Sequence, residues 1–181
     1  LLVGERIAEA MQAGGVPEDI FQNLVLDHST TEQLIRDRSF GFINFTGSVG
    51  GGAAMERAAA GTFTGLGLEL GGKDPAYVMA DADLEAAVDG LMDGAMFNAG
   101  QCCCGIERVY VHASLYDAFV EKSVAWVNAL KLGNPFDAAT TLGPMANKRF
   151  AAVVRGQIAE AIAAGAKPLI DPAHFPADDG G

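Results

Sequence analysis

The segment from Phe40 to Ala60 constrains the fold more than any other part of the chain. Phe40 to Phe45 is an apolar run with no polar alternation, Thr46-Gly47-Ser48-Val49-Gly50-Gly51-Gly52 follows directly, and an alanine-rich stretch, Ala53 to Ala60, comes next. That order predicts strand, glycine turn, helix. Upstream, Phe21 to Leu26 reads as a short buried strand, Ser29-Thr30-Thr31-Glu32 matches a capping box, and a brief helix is expected to about Asp37. Strand, helix and strand in this length, with apolar rather than alternating strands, predict parallel pairing in an α/β sheet. Two readings of the glycine turn stay open. A helix start offers unpaired N–H groups and the positive end of a dipole, and glycines let a phosphate approach the backbone. Ser48 could then cap the helix, bond a phosphate oxygen, or alternate between the two. The segment is not Gly-x-Gly-x-x-Gly and lacks the lysine of a P-loop, so a purely structural turn explains it equally well.

The chain before and after this segment reads in the same α/β terms. Leu2, Val3, Ile7, Ala8 and Met11 recur at helical spacing, and Gly14-Gly15 before Val16-Pro17 supplies a stop. Thr62 to Leu70 has strand character and ends in Leu68-Glu69-Leu70-Gly71-Gly72-Lys73. Glu69, flanked by leucines and followed by glycines, is a candidate for a partly desolvated carboxylate, which would make it a better base near neutral pH. The plain alternative is an edge residue that faces solvent or pairs with Lys73. Ala76 to Met79 continues as strand. Asp81-Ala82-Asp83 starts a helix whose apolar face is Leu84, Ala87, Val88, Leu91 and Ala95. Ser114 and Asp117 bracket another helix start, with Leu115, Phe119, Val120, Val124, Val127 and Leu130 as its stripe and Trp126 as packing. A last helix is expected from Asn147 to Ala164, Leu169-Ile170 reads as the beginning of a strand, and the tail to Asp178-Asp179-Gly180-Gly181 is polar.

Every cysteine of the chain lies in Asn98-Ala99-Gly100-Gln101-Cys102-Cys103-Cys104, between the helix ending near Phe97 and the strand-like Arg108 to Val111. A thiol at the end of a buried element, close to backbone N–H groups, is placed where a reactive thiolate can be made. Free cysteine is also simply a small apolar residue. Contiguous cysteines make no ordinary disulfide framework, and neither Cys-x-x-Cys nor paired histidine spacing occurs, so no metal site is expected. The thiols point to a reducing, cytoplasmic setting. The formal net charge of -11 argues against nucleic acid or an anionic membrane as partner, and no apolar run is long enough to span a bilayer. The start of the chain does not read as a signal peptide.

With Glu69 and Cys103 both in place, the sequence resembles the aldehyde dehydrogenase superfamily along nearly its whole length. Phe45-Thr46-Gly47-Ser48 is similar to the family's phosphate-side motif, Glu69-Leu70-Gly71-Gly72-Lys73 to its glutamate signature, and Asn98 to Cys104 to its cysteine signature. Leu132-Gly133-Asn134-Pro135 and Leu142-Gly143-Pro144-Met145 are similar to two further landmarks, and Glu69 precedes Cys103 by the 34 residues that the resemblance requires. The resemblance implies the end of a Rossmann-type cofactor domain over residues 1–70 and the start of an α/β catalytic domain over 71–181. It implies Cys103 as nucleophile, its backbone amide among the oxyanion donors, Glu69 as base, and Gly47, Ser48 and Leu70 beside NAD or NADP. The implied reaction is oxidation of a small-molecule aldehyde to a carboxylic acid by a homodimer or homotetramer. A non-catalytic binding or structural protein that keeps the fold is the rival reading, and thiol redox chemistry or metal binding by Cys102 to Cys104, with a bound metal or a reversible disulfide, is a third. Three departures stand out. Leu24 to Thr31 replaces a glycine-rich turn, Val49-Gly50 replaces the usual polar pair and leans toward the semialdehyde dehydrogenases, and the chain is far shorter than the family's enzymes. The upstream asparagine of the oxyanion hole and the residues that hold both ribose groups are outside it.

Overall fold

The computed structural model describes residues 2–176, the side chain of Glu18 excepted, and the polar tail from Asp178 to Gly181 lies outside the described residues. The chain divides into two compact units, Leu1–Leu70 and Gly71–Gly181. Each holds one pair of parallel strands joined through a helix. Parallel strands need such a crossover, because the chain must return to the same end before the second strand begins.

In the first unit, α1 (Leu2–Ala13) stops at the glycine pair: Gly15 has a φ of 81° and the Val16 N–H reaches the Met11 carbonyl at 3.0 Å. The run from Phe21 to Leu26 does not form a strand. Phe21 is extended, yet the segment pairs with no strand among the described residues, and Leu24 and Val25 are exposed. An apolar run becomes a strand only where a neighbour completes its hydrogen-bond ladder, and here the unit's two strands pair with each other. α2 (His28–Arg36) is capped by Asp27 rather than Ser29. The Asp27 carboxylate accepts the Thr30 N–H at 2.7 Å and the Ser29 hydroxyl at 2.9 Å, and these bonds, the Thr30 N–H first, hold its pKa below the usual carboxylate value.

Strand β1 (Phe42–Thr46) then runs parallel to β2 (Gly65–Glu69), with Phe42 opposite Gly65 and Thr46 opposite Glu69. Between them, α3 (Val49–Ala59) starts four residues before the expected Ala53, taking Gly50, Gly51 and Gly52 into its first turn. Ser48 makes this possible by capping a helix start that glycine disfavours on its own. Ile35 of α2 is buried on Ala58 and Ala59 of α3, with Ile43, Met55 and Leu66 around them.

The second unit pairs β3 (Asp74–Val78) with β4 (Ile106–Val111) through α4 (Leu84–Met96). Asp83 caps α4 by accepting the Ala86 N–H at 3.1 Å. Helix α5 (Tyr116–Asn128) begins after Leu115, whose side chain has no acceptor to cap it, while Ser114 before it is engaged with His112 Nδ1 at 2.9 Å. Val78, Val88, Met92 and Phe119 form the core, bordered by Leu84, Leu91, Leu115 and Val127. Each such side chain removed from water contributes about 1.5–3 kcal/mol. Trp126 packs on the same cluster and also donates its indole N–H to Asp89 at 3.0 Å. Asn147 caps α6 (Lys148–Ala163) through the Arg149 N–H. Leu169 and Ile170 form no strand; they lie beside α5 and lead into a short 3-10 turn, Pro172–His174. Among the described residues, no helix is long and apolar enough to cross a membrane.

Candidate active site

Four of the five residues singled out in the sequence come together at the C-terminal ends of β1 and β2. The Gly47 N–H donates to the Glu69 carbonyl at 3.0 Å, which extends the strand pairing one step past Thr46. Ser48 follows and its Oγ accepts the Gly51 N–H at 3.1 Å. Leu70 packs against the first turn of α3, where a Cβ added to Gly52 would lie 2.8 Å from Leu70 Cδ2. Gly47 is likewise fixed by packing, since a Cβ there would meet the Phe45 ring at 2.7 Å. Gly50 differs. A Cβ at that position would meet nothing nearer than Ser48 Oγ at 4.0 Å, so packing does not account for its glycine. The result is an uncovered helix start whose first N–H groups have no carbonyl within the helix to bond, beside a serine hydroxyl whose proton remains available to donate. Such a place suits an anion. The desolvation of Glu69 expected from its leucine neighbours is not found. Side chains alternate along a strand, so Leu68 and Leu70 point away from the Glu69 side, and Glu69 is exposed.

Cys103 belongs to the second unit, in the connection between α4 and β4. After Met96 the chain makes a short turn, Phe97–Gly100, in which Asn98, Ala99 and Gly100 take positive φ values of 52°, 56° and 75°. Asparagine and glycine tolerate that conformation; for alanine it costs about 1–2 kcal/mol. Gln101 holds the turn in place. Its backbone and side-chain N–H groups both donate to the Asn98 carbonyl, at 3.1 and 2.9 Å, and its Oε1 accepts the Ala146 N–H at 2.9 Å. The thiols then occupy a second turn closed by the Gly105 N–H on the Cys102 carbonyl at 3.2 Å. Cys103 and Cys104 are exposed and Cys102 is half-buried. Cys102 and Cys104 have their sulfurs 3.3 Å apart. The Cys102 pKa is lowered, first by the Cys104 backbone N–H and then by the Cys104 thiol, while the Cys102 sulfur raises that of Cys104.

Other residues support this turn without having been assigned a role from the sequence. Gly72 lies against it, where a Cβ would stand 2.5 Å from the Cys103 carbonyl oxygen. Lys73, an expected partner of Glu69, instead pairs with Glu107 at the start of β4. The two downstream landmarks meet each other: Leu132 and Leu142 form a parallel bridge, and the Gly133 N–H donates to the Leu142 carbonyl at 3.3 Å. With Ala99 and α6 they enclose a cavity of about 750 Å³ that reaches the thiol-bearing connection. Asparagine and glycine bracketing Ala99 were the available sequence signal for a left-handed turn; nothing in the sequence pointed to Gly72 lying on Cys103.

A sequence profile described as the aldehyde dehydrogenase family matches residues 1–181. A succinate-semialdehyde dehydrogenase [NADP(+)] of Mycolicibacterium paratuberculosis is 38% identical over 175 residues, covering 93% of this chain and 37% of that protein. Among solved structures, an NAD-dependent aldehyde dehydrogenase from Sinorhizobium meliloti is 35% identical with a TM-score of 0.84, over 90% of this chain and 32% of that one. A glyceraldehyde-3-phosphate dehydrogenase from Methanocaldococcus jannaschii, solved with NADP, is 32% identical with a TM-score of 0.85, over 92% of this chain and 36% of that one. The chain thus spans little more than a third of the length of the curated relatives it matches.

Proposed function

The chain belongs to the aldehyde dehydrogenase family, and from that membership we propose that the protein carrying it oxidises an aldehyde to a carboxylic acid with NAD or NADP. Residues 1–70 serve as the end of the cofactor domain and 71–181 as the start of the catalytic domain. The observation that carries the reading is the uncovered start of α3 behind Gly47 and Ser48. Gly50 there is left open with no packing reason, and a cofactor pyrophosphate would account for it. Gly47 and Ser48 would hold the phosphate side and Leu70 would lie near the nicotinamide, which supplies the hydride acceptor when bound.

Cys103 acts as the nucleophile. Its thiolate attacks the aldehyde carbon, and its own backbone N–H is among the donors to the oxyanion that forms. Loss of hydride leaves an acyl-thioester on Cys103. Glu69 then takes a proton from the water that attacks this thioester; the carbon–sulfur bond breaks, the carboxylic acid leaves, and the thiolate is restored. An exposed Glu69 is open to water, as this step requires. A semialdehyde is the favoured substrate class, supported by Thr46-Gly47-Ser48-Val49 and by succinate-semialdehyde dehydrogenases among the relatives. Three free thiols fit a reducing cytoplasm, and a homodimer or homotetramer is the expected assembly.

The test is made on the intact protein. Replacing Cys103 by Ala should reduce NADH or NADPH formation by orders of magnitude, because it removes the covalent intermediate. Glu69→Gln should still give one burst of reduced cofactor and then stall with the acyl group on Cys103, visible by mass spectrometry. Steady-state turnover that survives Glu69→Gln unchanged removes Glu69 from the base role.

A further inference from the structure

Two of the three thiols have no part in the proposed reaction, and the turn that carries them sets them in a particular relation. The bond from the Gly105 N–H to the Cys102 carbonyl makes a tight turn with Cys102 and Gly105 at its ends and Cys103 and Cys104, both exposed, at its two central positions. The Cys102 and Cys104 sulfurs are 3.3 Å apart. A disulfide needs about 2.05 Å, so a small side-chain movement closes the gap, whereas a bridge from Cys103 to either neighbour would have to close across a single peptide bond. A closed metal site takes four ligands, and the metal-ligating group found here among the described residues consists of these three thiols alone.

We propose that Cys102 and Cys104 are an oxidisable pair, which a hydroperoxide converts into a disulfide that spans Cys103 and leaves the Cys103 thiol free. Cys102 is the attacking thiol: its pKa is lowered, first by the Cys104 backbone N–H, and the Cys104 sulfur stands 3.3 Å from its own. Its sulfur takes one peroxide oxygen as the O–O bond breaks, giving a sulfenic acid and releasing water or an alcohol. The Cys104 sulfur then attacks the Cys102 sulfur, the S–S bond forms, the S–O bond breaks, and hydroxide leaves as water with the Cys104 proton. Two thiols together lose two electrons and the peroxide gains them. The pairing stands on the geometry of the turn; any effect on turnover rests on Cys103 being the nucleophile.

The experiment treats the intact protein with one equivalent of hydrogen peroxide, alkylates it with iodoacetamide and digests it with trypsin. Lys73 and Arg108 bound a peptide, Asp74 to Arg108, that contains all three cysteines. The expected product has lost two hydrogens, carries a single alkyl group on Cys103, and returns to three alkylated thiols after dithiothreitol. In Cys104→Ser that product should vanish and a dimedone-trappable sulfenic acid should remain on Cys102. Oxygen adducts on Cys103 with both neighbours alkylated, a bridge that includes Cys103, or a bridge that survives Cys104→Ser each overturn the pairing. Turnover measured in parallel is expected to fall as the bridge forms and recover with dithiothreitol. A bridged protein with full turnover overturns the link to activity, while turnover that survives Cys103→Ala refutes the nucleophile separately.

Discussion

At Gly72 a single missing methyl group is what lets the chain pass against the Cys103 carbonyl. A Cβ there would also stand 2.9 Å from Asp74 Oδ1, which a flexible side chain can relieve, but the Cys103 oxygen at 2.5 Å is backbone and can yield only if the turn moves. Gly71, next to it, has nothing within 4 Å of its added Cβ, and neither glycine has a positive φ. Substitution therefore separates the two by sterics alone. Gly72→Ala should lower kcat by about a hundredfold, the cost of a misplacement near 1 Å, with the cofactor KM unchanged. Gly71→Ala should leave both near their original values. Equal losses in the two variants would show that the pair serves the fold and not the position of Cys103. Ala99 belongs to the same scale: it keeps a strained conformation because Gln101 ties the turn both to Asn98 and to the backbone at Ala146.

Helix starts are the elements on which both the fold and the site depend, and two of them can be probed directly. Replacing Ser48 by Ala removes the acceptor for the Gly51 N–H and should cost about 1 kcal/mol of stability, read as a shift in the denaturant midpoint. It should also raise the cofactor KM, whereas Ser48→Gly should cost less stability. Asp27 caps α2 with a pKa held below its ordinary value by the Thr30 N–H. A depressed carboxylate pKa contributes stability above the unfolded-state value, and that contribution disappears as the pH falls through the folded-state value. Denaturation midpoints taken between neutral and acid pH should therefore drop less in Asp27→Asn than in the parent. Equal pH slopes would show that the charge on Asp27 adds no stability. At this scale the sequence was most legible where local chemistry decides the outcome. The glycine stop of α1, the Asp83 start of α4 and the strand, turn and helix from Phe42 onward follow from residue type and spacing. It was least legible where a distant neighbour decides. Phe21 to Leu26 has strand composition but no paired strand, and Ser29 looks like a cap until Asp27 claims its hydroxyl. The candidate residues themselves were readable as motifs. The bond from Gly47 to the Glu69 carbonyl and the contact of Gly72 with Cys103 were not, because both join segments distant in the chain or on different elements.

For the molecule as a whole, the two cores are small relative to the apolar surface left uncovered. Seven side chains are buried hydrophobics among the described residues. Phe63 and Phe136 are each 96% exposed, and α1 and α6 bury no residue although both carry apolar faces. Surfaces of this kind lie against something in a stable protein, and the relatives that share this sequence are almost three times as long as the part that aligns. Residues 1–181 produced alone should therefore bind a hydrophobic fluorescent dye strongly and self-associate with increasing concentration, as light scattering would show. They should also form no reduced cofactor with any aldehyde, since the family resemblance puts the ribose-binding residues and the oxyanion asparagine outside this stretch. The intact protein should do the reverse, with weak dye binding, a defined oligomer and turnover. A monomeric, dye-silent chain 1–181 would mean that the exposed faces of α1 and α6 are stable in water as they stand, and that their apolar residues are not covered by other parts of the protein.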